Sequence, residues 1–183
     1  MIMNMSRWKK RLEMIRKGKD RFFRENPQSP LTSAERTGFE GLIYYPIDSD
    51  YRFKVALHEH DKKEPVSLEA TQGGERVVLH LGEFRFEIGK VECTLQVYKT
   101  DPTEPRLFVP FRDATSGIET YQKGRYLDLD PEIHRTIEGK WILDFNEAYN
   151  PWCEYSDGFI CSFAPPENWL NVPVRAGEKS YAR

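Results

Sequence analysis

Three cysteines in 183 residues, Cys93, Cys153 and Cys161, are too few for a disulfide scaffold, and in a reducing compartment they are expected as thiols. No apolar run reaches the ~18 residues of a membrane span, so no transmembrane segment is expected. Met1 to Met5 lead into charges rather than into the apolar stretch of a signal peptide, which points to a cytoplasmic protein. A glycine-rich phosphate loop, a nucleotide-binding strand-turn-helix signature and a serine-hydrolase elbow are missing too, so nothing indicates a nucleotide or flavin cofactor. A formal net charge of −2 argues against a dedicated nucleic-acid binder, which carries a basic surplus.

Aromatic residues are not lacking. Eleven Phe, nine Tyr and four Trp supply the bulk for a real core, and the length fits one domain of roughly 100–200 residues. The expected division is a helical extension over residues 1–38 followed by a β domain over 39–183. Charge is polarised along the chain. Between Arg7 and Arg24 nine Lys or Arg face only Glu13 and Asp20, a local charge of +7, so the remainder carries −9. Trp8, Leu12, Ile15 and Phe22 recur at close to helical spacing there, predicting one amphipathic helix with an apolar stripe under a basic face. Such a face can meet an anionic membrane or an acidic partner, or simply be the solvated side of a helix that caps its own acidic domain. Asn26 to Pro30 reads as an extended connector. Thr32 and Glu35 have capping-box spacing, Leu31 and Arg36 occupy staple positions, and Gly38 is expected as a left-handed stop, so a short second helix follows and Phe39 anchors in the core.

From Tyr51 the period changes to two. Tyr51, Phe53, Val55 and Leu57 alternate with polar or small residues, and Val66, Leu68 and Ala70 continue the pattern. Gly73-Gly74, Gly82-Glu83 and Gly89-Lys90 read as tight hairpin turns between successive strands. Further strands are expected at 106–111, 125–129, 141–145 and, confined to an edge by Pro173, 170–174. The fold class is therefore mainly β, an antiparallel barrel or sandwich with the barrel favoured, since neither face of a meander can stay bare. Asn146 to Asn168 breaks the period for longer than an ordinary loop, and its aromatics and prolines predict order and function.

Chemistry-bearing residues cluster late, in Thr115 to Arg125, in Asp144-Phe145-Asn146 with Ala148-Tyr149-Asn150-Pro151 and Cys153, and from Cys161 through Pro165-Pro166-Glu167-Asn168 to Ala176-Gly177-Glu178-Lys179. On these motifs, and on the Arg24 to Tyr45 region, the chain resembles a widespread microbial family of unknown function, over nearly its whole length. The resemblance implies membership but brings no activity, substrate, cofactor or catalytic residue. Trp152 departs from the pattern, where a proline or small residue is expected before the first cysteine.

Read for their chemistry, these residues suggest a site. Arg125 can hold a carboxylate or phosphate in its planar fork, or can pair with Asp144 across neighbouring strands and tie the β wall. Asp144 and Glu178 are the candidate acid and base, and Cys153 the candidate nucleophile, although no histidine lies near it in sequence to form the thiolate. Tyr121, Tyr149, Asn146, Asn150 and Asn168 are the candidate orienting groups, with Asx turns as the competing role for each amide. Cys153 and Cys161 are spaced so that a disulfide could close their loop. Zinc is not expected, because the cysteines lack metal-ligand spacing, and His58, His60 and His134 read as surface residues. Cys93 reads as a small buried hydrophobe. The first functional expectation is a small-molecule enzyme or binder that takes a small anionic ligand, with self-association left open. The alternative is an interaction module that docks through the basic helix, the late motifs being purely structural.

Overall fold

The computed structural model describes residues 5–181; the expectation drawn from Met1 to Met5 falls mostly on residues 1–4, which lie outside the described residues. Helix α1 spans Met5–Glu25 and α2 Ser33–Thr37. Strands follow at β1 (Arg52–Val55), β2 (Leu57–Glu69), β3 (Glu75–Ile88), β4 (Val91–Lys99), β5 (Leu107–Phe111), β6 (Arg125–Leu129) and, after the single turn α3 (Pro131–His134), β7 (Trp141–Asp144). Among the described residues no helix is long and apolar enough to cross a membrane.

The strands form two antiparallel sheets, one of five strands in the order β2-β3-β4-β5-β6 and one pairing β1 with β7. The larger sheet is open, with β2 and β6 at its edges and no closure into a barrel, and the expected mainly β barrel or sandwich fits this pair of sheets. Both sheets bury side chains in one core: Val55, Trp141 and Leu143 meet Phe84, Leu95, Val109 and Leu127. Strand β4 shows the expected period, with Cys93, Leu95 and Val97 buried while Glu92 and Thr94 are exposed. All five residues of β5 are buried because a second cluster, Leu68, Val78, Tyr98, Phe108 and Tyr126, covers the opposite face of the sheet.

Several local expectations need correction. The strand expected from Tyr51 to Leu57 splits at Ala56, where β1 leaves for β7 and β2 joins the larger sheet. Gly82-Glu83 is not a turn: Gly82 lies inside β3 at a register shift, and a Cβ there would stand 2.3 Å from the His58 carbonyl oxygen. Only glycine admits that approach of two backbones. Gly73-Gly74 belongs to a longer connection in which Ala70 N–H donates to Gly74 O at 2.8 Å. Gly89, at φ 64, does turn β3 into β4. The capping box of Thr32 and Glu35 forms, but Gly38 ends α2 at φ −97 rather than in the left-handed region, because a single turn closes through its own amide onto Glu35 and Arg36. Residues 170–174 form no strand, although Leu170 N–H and Ala114 N–H tie the segment to the chain after β5. The segment from Asn146 to Asn168 carries short helical turns at 145–147, 152–154 and 166–168.

The inner face of α1 is not the stripe the spacing suggests. Trp8, Leu12 and Phe23 are buried, whereas Ile15 is 44% exposed and Phe22 only half-buried. At 3.6 residues per turn, the line from Trp8 through Leu12 to Phe23 passes over Arg16 and Lys19. The two cations in the middle of the buried face therefore need partners from the body of the protein.

Candidate functional site

Those partners come from the late motifs. Lys19 Nζ donates to Glu178 Oε1 at 2.5 Å, and Arg16 donates to the carbonyls of Tyr45 and Asn146 at 2.9 and 3.3 Å while its guanidinium lies 4.5 Å over the Tyr44 ring. Glu178 is 1% exposed, and its other oxygen accepts from Asn150 N–H and the Tyr155 hydroxyl, both at 2.8 Å. Burial, and after it the adjacent Glu178 carboxylate, push the Tyr155 and Tyr44 hydroxyls well above the usual phenol range, so both remain donors. Gly177, at φ 77, lets the chain pass close under Ala148 O, where a Cβ would stand 2.5 Å away. A cavity of about 280 Å³ lies beside this cluster, lined by Ile15, Arg16, Tyr44, Tyr149, Trp152 and Glu178 among others. Glu178 and Asn150 thus come together in one network, while Tyr149 lends its ring, 5.1 Å from Lys19 Nζ, and sends its hydroxyl to Asp128 at 2.6 Å.

Arg125 does not join it, and the expected pair with Asp144 does not form. The Arg125 side chain is 0% exposed; one terminal nitrogen donates to Ala176 O and Glu178 O, the other to Asp113 Oδ2 at 2.9 Å and Val174 O at 2.8 Å. Its fork grips the C-terminal segment and lines none of the cavities described here. Asp144 ends β7 in the other sheet, accepting from Trp8 Nε1 at 2.6 Å, from Asn146 N–H at 3.0 Å and from Asn146 Nδ2 at 2.9 Å, with Arg52 at 3.3 Å. Burial raises its carboxyl despite those donors. The sequence pairs Arg125 with Asp144 because both flank strands; Asp113 wins because it follows β5, the neighbour of β6, in the same sheet.

The amides are pins. Asn146 bonds both backbone groups of Asp48, by Nδ2 to Asp48 O at 2.7 Å and by Asp48 N–H to Oδ1 at 2.8 Å. Asn168, 0% exposed, accepts from Gln96 N–H at 2.6 Å and donates to Gln96 O and Pro110 O at 3.0 and 2.7 Å. Asn150 Nδ2 donates to Lys179 O. Tyr121 OH lies 3.5 Å from Cys153 Sγ, and Cys153 N–H points to Cys161 Sγ at 3.3 Å, with all three cysteines free. His134, expected at the surface, is 5% exposed: the turn of α3 folds its ring back onto Asp130, and its other nitrogen meets Glu147 at 3.1 Å. His58 is exposed, but His60 is half-buried against His80 and Gln96. Among the described residues no three His, Cys, Asp or Glu converge as a metal site.

A larger cavity has none of the predicted catalytic or binding residues in its lining. It measures about 590 Å³, between the β2–β3 hairpin and the 163–169 segment, with Val66, Leu68, Phe163, Pro165 and Trp169 on its apolar walls and Glu69, His80, Arg112, Lys123 and Glu167 among its polar groups. Arg112 and Trp169 pair as a parallel bridge, secured by Arg112 N–H to Asn168 O and Leu170 N–H to Arg112 O, and the guanidinium stacks 4.4 Å over the indole. The turn Tyr121–Gly124 presents Lys123, whose Nζ is 4.9 Å from the Phe163 ring centre. Gly124, at φ 100, is required there, since a Cβ would meet Phe111 O at 2.5 Å. Among the described residues neither cation has a carboxylate ion pair, whereas Glu167 receives the Tyr98 hydroxyl at 3.4 Å. The Pro165 to Asn168 motif and the Thr115 to Arg125 cluster, which holds Lys123, touched this cavity in the sequence; Arg112, directly after an apolar strand, gave no signal.

Residues 37–179 match the model of a protein family described as "Protein of unknown function (DUF1684)". The chain belongs to this family. No curated protein matches it. Among solved structures, the DUF1684 chain is similar to an uncharacterised protein of Haloarcula marismortui determined by solution NMR, at 38% identity and a TM-score of 0.75, over 98% of this chain and 97% of that one. That likeness extends through α1, which the family model does not reach.

Proposed function

We propose that this DUF1684 protein binds a small amphiphilic molecule with an anionic end group in the 590 Å³ cavity. The volume falls in the range of roughly 300–1,000 Å³ usual for small-molecule sites, and apolar walls with a few placed polar groups are the usual lining. One observation carries the reading: Arg112 and Lys123 are each held over an aromatic face with no carboxylate ion pair among the described residues. Stacking fixes the guanidinium plane and leaves its N–H edge free for a carboxylate or phosphate. The anion-holding role passes from Arg125, whose terminal N–H groups are committed within the chain, to these two cations. Asn168 then acts indirectly, by fastening the cavity wall to β4 and β5. His80 contributes an oriented imidazole, its Nε2 at 2.8 Å from Gln96 Oε1.

The test is a thermal-shift and calorimetric series of alkyl carboxylates and alkyl phosphates against alcohols of the same chain length. The anions should raise the melting temperature well above the alcohols, and a ligand at ~100-fold its Kd stabilises by about 2.7 kcal/mol. Arg112→Ala with Lys123→Ala should lower affinity for the anions at least tenfold and leave alcohol binding unchanged. Equal response to anions and alcohols in the wild-type protein would sink the proposal.

A further inference from the structure

Cys153 and Cys161 stand apart from the cavity chemistry and are not consumed by the fold. Eight positions separate them, yet Cys161 Sγ receives the Cys153 N–H at 3.3 Å. The Cys161 backbone is clamped on both sides by Thr71, whose hydroxyl accepts from Cys161 N–H and whose N–H donates to Cys161 O, both at 3.0 Å. The sulfur is thereby held in place. Exposure divides the two: Cys153 is buried at 8%, against Tyr121, while Cys161 is half-buried and reachable from solvent. Arg76 adds positive potential toward Cys161. Chiefly through the Cys153 thiol, and against its partial burial, the Cys161 thiol is lowered to about 7, while the same hydrogen bond and burial push Cys153 far up. Cys93, on β4 and in the core, is raised by burial, which outweighs a backbone hydrogen bond from Ile88. This is the asymmetry of an attacking thiolate and a protonated resolving thiol, on one loop.

We propose that Cys161 and Cys153 form a redox-active dithiol whose substrate is a low-molecular-weight disulfide. The Cys161 thiolate attacks one sulfur of the disulfide RSSR; the S–S bond breaks, RS⁻ leaves, and a mixed disulfide remains on Cys161. Cys153 gives its proton to the departing thiolate and attacks Cys161 Sγ. The Cys161–SR bond breaks, the Cys153–Cys161 bond forms, and a second RS⁻ leaves and takes a proton from water. In sum, the protein dithiol loses two electrons and two protons, and RSSR becomes two RSH. Excess thiol reverses the sequence.

The probe is oxidised glutathione, added to the reduced full-length protein and quenched with an alkylating agent before peptide mass mapping. Wild type should yield an internal Cys153–Cys161 link with Cys93 still alkylated. Cys153→Ser should stall with glutathione on Cys161, and Cys161→Ser should give neither product while keeping its circular dichroism spectrum. In the wild-type protein, alkylation of Cys161 by iodoacetamide should reach half its plateau rate near pH 7, below the usual thiol range of about 8.5. The proposal is overturned if no internal link forms, if the link takes Cys93 instead, or if Cys161→Ser consumes glutathione disulfide as fast as wild type.

Discussion

Replacing Arg125 by methionine separates an anchoring guanidinium from a ligand-binding one. The substitution keeps roughly the aliphatic volume and removes two terminal nitrogens that make four hydrogen bonds, to Asp113 and to the carbonyls of Val174, Ala176 and Glu178. Asp113 would be left as a buried charge without its cation, which costs about 3–5 kcal/mol. Each carbonyl without another donor adds about 1 kcal/mol or more. The total is roughly 5–8 kcal/mol, against the 5–15 kcal/mol by which typical domains are stable. One term opposes it: among the described residues Arg125 Nε is buried without a partner, so its removal recovers a desolvation cost. At about 2–4 °C per kcal/mol for a chain of this size, the melting temperature should fall by at least ~10 °C. Urea unfolding followed by circular dichroism measures it. Arg125→Lys should lose less, and Asp113→Asn combined with Arg125→Met should be more stable than the sum of the singles, because it removes the orphaned charge. A methionine variant within about 1 kcal/mol of wild type would refute the anchoring argument and return Arg125 to the candidate ligand groups.

Lys19→Met should cost about 3 kcal/mol by leaving Glu178 short of its cation, and should hasten proteolysis within α1; unchanged cleavage would mean the helix is held by Trp8, Leu12 and Phe23 alone. Gly82→Ala should destabilise by several kcal/mol, since its Cβ would meet backbone rather than a flexible side chain; a melting temperature within about 2 °C of wild type would disprove the bulge. Burial acts to raise the Glu147 carboxyl, but hydrogen bonds from His134 and Arg11 outweigh it and hold the group below its ordinary value of 4.5. Its contribution is therefore fully present above that value and lost as pH falls through the lower folded value. Glu147→Gln should flatten the acid limb of the stability profile, and an identical limb would exclude Glu147 as its source.

The sequence carried the strands through their period of two, and the turn at Gly89 through its residue type, because those signals are local. It misled where tertiary contacts decide. Gly82 carries the same mark as Gly89, and only the His58 carbonyl lying against it separates a bulge from a turn. In α1 the buried face was assigned to apolar residues alone, which displaced it toward Ile15; Arg16 and Lys19 turn inward because Glu178 and two backbone carbonyls, more than a hundred residues away or across a loop, receive them. Asp113 was legible in principle, since an Asp two residues before Thr115 is an Asx-turn pattern, and Thr115 N–H does donate to it at 2.8 Å.

Residue types that look catalytic in sequence are the types that also satisfy buried backbone, and a low-dielectric interior makes both uses demanding. What separates them is whether the polar atoms are already answered. Asn168, Asn146 and the terminal nitrogens of Arg125 are answered within the chain, so their specificity reads as architecture. Arg112 and Lys123 present charge to a cavity without a carboxylate partner among the described residues, and Cys161 presents a sulfur already surrounded by donors for its anion. If that criterion holds, substitutions at the answered positions should move stability and ligand affinity together. Arg112→Ala and Cys161→Ser should instead change binding or disulfide chemistry with the melting temperature nearly fixed. A loss of folding on Arg112→Ala as large as that on Arg125→Met would show that the criterion does not separate the two classes.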